Sequence, residues 1–170
     1  TGKKEIMDLG GILEEGKEKV FLISTTHGGE TNAIRAGIKT IEEFKDKNVI
    51  GHIHMVGNEL IKNVKALIAE NQVEAFIKVI PCPWMLAFVF KNKAGSVCNG
   101  HRTYFMQQMI EENILFQGII VPSLSFSVNE MNHFLDGFES SLKKYKAILN
   151  NGYESNLKGT PTKPVFRKYN

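Results

Sequence analysis

Cysteine is scarce in this sequence, which has two, Cys82 and Cys98, neither of them in a Cys-x-x-Cys pair. Two such thiols exclude the disulfide framework that stabilises small secreted domains. We therefore expect reduced thiols and a cytoplasmic protein. Long apolar runs are also lacking, because no run approaches the roughly 20 residues that cross a bilayer. The start, Thr1–Glu5, has no apolar core of a signal peptide, so we expect no membrane partner.

Neither sign of charge dominates. The 21 basic and 18 acidic residues leave a net charge of +3, and the basic residues are scattered among acidic ones. A nucleic-acid surface would show a concentrated stripe of lysine and arginine, so we expect no nucleic-acid partner. Hydrophobic residues make up 42% and charged residues 23%, which is typical of a globular chain. The length of 170 residues suffices for one ordinary domain.

Hydrophobic spacing organises the chain into alternating helices and strands. It predicts helices over residues 31–44, 49–69, 101–113 and 127–149, and strands over 20–24, 75–80, 85–90 and 114–121. The last helix opens at Ser127 with Glu130 three residues on, which predicts a capping box. Between residues 48 and 150 the order is typical of a small sheet covered on one face by helices.

The predicted fold class is therefore α/β, with a small α+β domain. We predict three segments: the end of a different domain with a connecting helix (1–45), the small domain (46–150) and a polar tail along another surface (151–170).

A plausible phosphate corner lies at Ser24–Thr31, where a strand ends in STTHGGET and a helix begins. The unpaired N–H groups and the dipole of a helix start favour an anion. Glycines let the backbone approach closely, and the threonine hydroxyls add donors. An ordinary capped helix after a tight turn would show the same residue types.

Other residues that bear chemistry give weaker signals. His52 and His54 are two apart on a predicted helix, so they point in different directions and cannot both bind one metal. We expect one to be partly buried and the other solvated. His101 is expected only to shape a helix start, Cys98 has no base nearby in sequence, and Trp84 is predicted to join Phe88 and Phe90 in the core. No metal site and no carboxylate pair for acid–base work is predicted.

The ordered motifs resemble one known family. Ser24–Thr31 followed by Ala36–Glu42 (AGIKTIE) resembles the end of the large domain in class III aminotransferases, above all the glutamate-1-semialdehyde aminomutase-like members. The similarity continues through Val56–Leu60 (VGNEL) and resumes at Pro122–Glu130 (PSLSFSVNE), which resembles the segment opening the family's last helix. Nearly the whole chain is covered, and the order of the blocks is more specific than any one of them.

The resemblance implies a function for the full-length protein. Such enzymes are fold-type I homodimers that bind pyridoxal 5'-phosphate covalently through a lysine of the large domain. They move an amino group between a small-molecule donor and acceptor, or within one substrate. By this resemblance the lysine lies upstream of Thr1, so this chain holds no catalytic residue and is predicted to be inactive alone. Thr26, with the backbone near His27 and Gly28, is then expected to bind the cofactor phosphate of the neighbouring subunit.

Some positions depart from the family pattern. Val121 precedes Pro122 where many relatives have an arginine for a substrate carboxylate, and Phe126 stands where relatives usually place a histidine. The stretch from Asn113 to Val121 is contracted. These departures leave the substrate open, and with it the choice between aminotransferase and aminomutase. The alternative hypothesis is a non-catalytic α/β module that binds a small anion or a partner protein.

Overall fold

The computed structural model describes residues 3–7 and 29–163. The chain forms two compact units, Thr1–Lys47 and Asn48–Asn170, which divide two residues beyond the predicted end of the first segment. The predicted strand 20–24 lies outside the described residues. No helix in the described ranges is both long and apolar enough to span a membrane.

The first unit contains helix α1 (Lys4–Met7) and helix α2 (Thr31–Asp46). The predicted helix over 31–44 is thus confirmed. Its apolar side chains recur at helical spacing, yet no residue of α2 is buried. Between 42% and 58% of each apolar side chain in this stripe is exposed: Ile34, Ile38, Ile41 and Phe44.

The second unit has the predicted order of helix, strand, strand, helix, strand and helix. Its elements are α3 (Val49–Glu70), β1 (Ile77–Ile80), β2 (Leu86–Phe90), α4 (Asn99–Glu111), β3 (Ile119–Ile120) and α5 (Val128–Ile148). The strands form an antiparallel sheet in the order β1-β2-β3. This part of the chain is a small α+β domain, as predicted.

One face of the sheet meets the helices. Leu86, Phe88 and Phe90 of β2 are buried, whereas the alternating Ala87 and Val89 are half-buried on the other face. Because strand side chains alternate between the two faces, this pattern places the core on one side only. The core includes buried residues of all three long helices of this unit: Leu60, Val64, Phe105, Met109, Phe138, Leu142 and Tyr145.

The predicted capping box at the start of α5 is confirmed. The Ser127 hydroxyl accepts a hydrogen bond from the backbone N–H of Asn129 at 3.2 Å, and the Glu130 carboxylate accepts one from the backbone N–H of Ser127 at 2.8 Å. These bonds satisfy donors that a helix start otherwise leaves unpaired.

The predicted strand over 114–121 is mostly wrong, because only Ile119 and Ile120 pair with β2. Asn113 has a φ of 62° and Gly118 a φ of 81°, so the backbone turns at both positions. Between them Phe116 is 1% exposed and belongs to the core cluster. The segment around Phe116 is apolar because this side chain enters the core from a turning backbone. Apolar character alone does not distinguish such a segment from a strand.

The prediction that Trp84 joins the core is also wrong. Phe88 and Phe90 are buried, but Trp84 is 54% exposed and its ring lies 5.5 Å from that of His54. The segment with Pro81 and Pro83 forms the predicted turn between β1 and β2, and it carries Trp84 away from the core face.

The described part of the tail lies along α4. We call residues 152–163 the C-terminal strap. Gln107 of α4 donates from Nε2 to the Asn156 carbonyl (3.0 Å) and accepts at Oε1 from the backbone N–H of Lys158 (2.8 Å). Farther along, the Thr103 hydroxyl accepts from the backbone N–H of Thr162 at 2.8 Å. Polar contacts therefore fix the strap on the helix.

Candidate functional site

The predicted phosphate corner is described only where it enters α2. Thr26, His27 and Gly28 lie outside the described residues, and the first described position after them is Gly29. Gly29 has a φ of +83°, in the left-handed region that favours glycine. Glu30 follows in extended conformation, and α2 begins at Thr31.

The start of α2 offers backbone donors. The Glu30 side chain does not cap the helix, and the Ala33 N–H is bonded by the neighbouring Asn32 side chain at 3.0 Å. The first N–H groups of a helix have no partner within the helix, and the dipole places partial positive charge there. The chemistry that the sequence predicts for this corner therefore fits the part that is described.

A second polar cluster lies where α4, α5 and the strap meet. An open cavity of about 480 Å³ is lined there by residues that include Cys98, His101, Tyr153 and Glu154. The sequence analysis assigned Cys98 and His101 no more than a minor role. The signal that was available is their spacing, because residues three apart at a helix start lie on one face.

His101 is 7% exposed, and its Nδ1 lies 2.8 Å from the hydroxyl of buried Tyr145. Burial lowers the pKa of His101, and the Glu154 carboxylate opposes that change. Burial also raises the pKa of Tyr145, so its hydroxyl keeps its proton at neutral pH. The pair fits a neutral imidazole that accepts a hydrogen bond from Tyr145. The expectation that His101 merely shapes a helix start is therefore incomplete.

Tyr153 closes this cluster from the strap. Burial raises the pKa of its hydroxyl, and the neighbouring Cys98 and Glu154 add to that effect. The Tyr153 ring lies directly over Gly100, where a Cβ would overlap its atoms. Its ring centroid is 5.5 Å from that of His101. These contacts help to join α4, α5 and the strap. They indicate that Tyr153 has a packing role and is not part of an arrangement of nucleophile and base.

The adjacent carboxylates of Glu111 and Glu112 form ion pairs with lysines. Lys158 Nζ lies 2.9 Å from Glu111 Oε1, and Lys144 Nζ lies 3.0 Å from Glu112 Oε1. The Ser140 hydroxyl donates to Glu112 at 2.6 Å. The hydrogen bond from Lys158 lowers the pKa of Glu111, and that from Ser140 lowers the pKa of Glu112. Carboxylates held ionised in this way are poor general acids at neutral pH.

The neutral state of His101 predicts how stability depends on pH. Its pKa is lowered in the folded state from the usual 6.5, so the unfolded chain binds the proton more readily. We expect the free energy of unfolding to fall as the pH drops below about 6.5, and to be unaffected by this group above that value. Urea unfolding between pH 8 and pH 5 measures the slope.

His101→Gln keeps a hydrogen-bonding side chain beside Tyr145 and removes the titration. We expect it to flatten the acidic slope relative to the unsubstituted chain. His133→Gln supplies the comparison, because it is the same exchange at an exposed position and leaves the contact between His101 and Tyr145 in place. An unchanged slope in His101→Gln would show that other groups cause the acid sensitivity.

The remaining histidines agree with the sequence analysis. His52 is half-buried and His54 is exposed, as predicted. Across the described ranges, no group of three histidine, cysteine, aspartate or glutamate side chains is placed to hold a metal ion.

The sheet face opposite the core is only partly covered by the described residues of the second unit. Lys78 pairs across the strands with Val89, Ile80 with Ala87, and Ala87 with Ile119 on this face. Ile80 is 48% exposed and Ile119 is 44% exposed. A mainly apolar face of this kind is suited to contact with other protein surface.

Comparison with known proteins adds no family evidence. No protein-family model matches the chain, and no curated protein matches it.

Proposed function

We propose that this chain is the C-terminal part of a pyridoxal-phosphate-dependent aminotransferase or aminomutase of the class III, fold-type I family. In that proposal it contributes the small domain and a phosphate-binding corner to a homodimer. The observation that carries the proposal is the entry into α2. The left-handed Gly29 and a helix start without a side-chain cap from Glu30 follow immediately after the corner that sequence chemistry and family resemblance assign to phosphate.

Two further observations support it. The segments that resemble the family lie where the structure constrains the residue type. Val56–Leu60 lies in α3, where Gly57 contacts the Pro83 backbone. Pro122–Glu130 leads into the capping box of α5. The apolar stripe of α2 and the partly covered sheet face are surfaces that a larger enzyme would bury.

The bound cofactor would supply the electron sink that stabilises a carbanion next to the amino nitrogen. The role of this chain would be binding and positioning. The Thr26 hydroxyl would donate a hydrogen bond to a phosphate oxygen, and the N–H groups near His27 and Gly28 would add further hydrogen bonds. The lysine that carries the cofactor would belong to the part of the protein before Thr1.

Borohydride reduction of the longest natural form of the protein tests the enzyme class. Reduction fixes the cofactor to its lysine, and peptide mapping then locates it. We expect a pyridoxyl-lysine in the sequence before Thr1. A protein saturated with pyridoxal phosphate that gives no adduct would remove the enzyme proposal and favour the module that binds a small anion or a partner.

Thr26→Val in that same form tests the corner. A hydrogen bond to a charged group contributes about 1.5–3 kcal/mol, so we expect the Kd for pyridoxal phosphate to rise at least about tenfold. Cofactor absorbance during titration gives the Kd. Thr25→Val is the matched control, because the neighbouring hydroxyl has no assigned phosphate contact. Equal Kd values for Thr26→Val and the unsubstituted protein would contradict this assignment.

A further inference from the structure

A basic groove runs between helix α3 and strand β1. Its volume is about 320 Å³. Three lysines from three different elements line it: Lys65 of α3, Lys78 of β1, and Lys91 just after β2. Among the described residues, Glu74 is the single acidic side chain in the lining, so positive charge predominates there. We call this the basic groove.

The lysine side chains of the basic groove have no charged or hydrogen-bonding partner among the described residues. Lys65, Lys78 and Lys91 make no ion pair or side-chain hydrogen bond with any of the described residues, whereas Lys39, Lys143 and Lys144 do. Lys65 and Lys78 are exposed and Lys91 is half-buried. Three unpaired cations around one hollow raise the local potential and favour an anionic occupant.

The backbone of β1 is available on the same side. The sheet order β1-β2-β3 makes β1 an edge strand, and its four residues pair with β2 alone. In an antiparallel pair, every second residue directs its N–H and C=O groups away from the neighbouring strand. In β1 these residues are Ile77 and Val79. The Ile77 N–H already donates to the Val73 carbonyl at 3.0 Å, so the Ile77 C=O and both backbone groups of Val79 remain for one more strand.

The chemistry of the lining favours a peptide over a phosphate compound. The lining also includes Ile68, Ile77 and the half-buried Val79, of which Ile77 and Val79 lie on the sheet face opposite Lys78. None of the described residues that line the groove is an arginine, a hydroxyl residue or an aromatic residue, and these are the usual additional contacts for phosphates and nucleic acids. An apolar floor beside a free strand edge is the arrangement that receives an extended peptide.

We propose that the basic groove binds an extended acidic segment of a partner protein, which adds as a strand to the free edge of β1. Alternate side chains of that segment would place carboxylates near Lys78 and Lys91, with Lys65 of α3 adding positive charge at the edge, and apolar side chains near Ile77 and Val79 on the other face. A lysine on an edge strand also deters aggregation, which would account for Lys78 alone. It would not account for the convergence of Lys65 and Lys91 from other elements.

The test uses the full chain and a short synthetic peptide that alternates glutamate with valine. Fluorescence anisotropy of the labelled peptide gives a Kd, and amide chemical shifts locate the site. We expect shifts at Ile77–Ile80, and a Kd raised about tenfold when all three lysines are changed to glutamine, because each exposed ion pair contributes modestly. Lys93, Lys143 and Lys158 lie outside the groove lining, so their triple glutamine variant matches the change in net charge.

Two further measurements separate strand addition from simple anion binding. N-methylation of peptide amides on the edge facing β1 removes the donors, so the Kd should rise about tenfold. Inorganic pyrophosphate should displace the peptide poorly. The proposal is overturned if the peptide does not bind, if both lysine triple variants weaken binding equally, or if pyrophosphate displaces the peptide while N-methylation has no effect.

Discussion

Gly57→Ala should lower the free energy of unfolding of the second unit by about 3 kcal/mol. Gly57 lies in the middle of α3 and is buried. A Cβ there would overlap the Cα, carbonyl carbon and carbonyl oxygen of Pro83. Overpacking usually destabilises by about 1–3 kcal/mol, and more where the obstacle cannot move. Here every obstructing atom is backbone.

The surrounding structure gives that backbone little freedom. Pro81 and Pro83 fix two φ angles in the turn, and β1 and β2 anchor it at both ends. On the other side α3 is held by Val56 and Leu60, which are 5% and 0% exposed. The higher helix propensity of alanine, about 1 kcal/mol relative to glycine, offsets only part of the loss.

Urea unfolding followed by far-UV circular dichroism measures the effect, and Trp84 fluorescence reports on the turn itself. Gly37→Ala is the matched control, because it also lies within a helix but a Cβ there would meet none of the described residues within 4 Å. We expect that variant to unfold at the same urea concentration or higher. Equal midpoints for Gly57→Ala and the unsubstituted chain would mean that α3 and the turn are not in close contact.

Local patterns determined much of this fold in advance. The helical spacing of apolar residues located α2, α3 and α5, and the pair Ser127 and Glu130 located the start of α5 to the residue. These features depend on neighbours within four positions, which a sequence displays directly. The order of elements then sufficed to predict a small sheet with helices on one face, but not that its strands are antiparallel.

Features that depend on distant residues were not predicted. Phe116 enters the core from a turning backbone, and only its neighbours Phe88 and Phe105 explain why it does so. Trp84 looks like a core residue by type, but the prolines beside it direct it outward. Burial lowers the pKa of His101, and its hydrogen-bond partner Tyr145 lies 44 positions along the chain.

The two candidate sites, the phosphate corner and the basic groove, also differ in whether the sequence predicted them. The phosphate corner was predicted because a strand end, hydroxyls, glycines and a helix start are contiguous, and the described part at Gly29 fits that chemistry. The basic groove was not predicted, because Lys65, Lys78 and Lys91 look like ordinary solvated charges in sequence. Only the strand order, which places β1 at the edge, brings them together around one hollow.

Phe105→Ala should have the largest effect on stability, about 4 kcal/mol. Phe105 is fully buried, and its ring lies between 5.1 and 5.8 Å from four other rings, which belong to Phe90, Phe116, Phe138 and Tyr145. Removing a buried phenyl group loses its transfer free energy and leaves a cavity, together about 3–5 kcal/mol. The four partners come from β2, α5 and the turn before β3, so collapse of one wall cannot fill the space.

Small domains are stable by about 5–15 kcal/mol, so Phe105→Ala brings this one close to unfolding. Phe105→Leu keeps the chain folded for comparison and should lose less than about 1.5 kcal/mol, since most of the volume is retained. Trp84→Ala is the contrasting aromatic truncation, and with more than half of Trp84 exposed it should lose less than about 1 kcal/mol. Urea unfolding by circular dichroism ranks the three variants. If Trp84→Ala proved as damaging as Phe105→Ala, the aromatic centre of the core would have to include Trp84 after all.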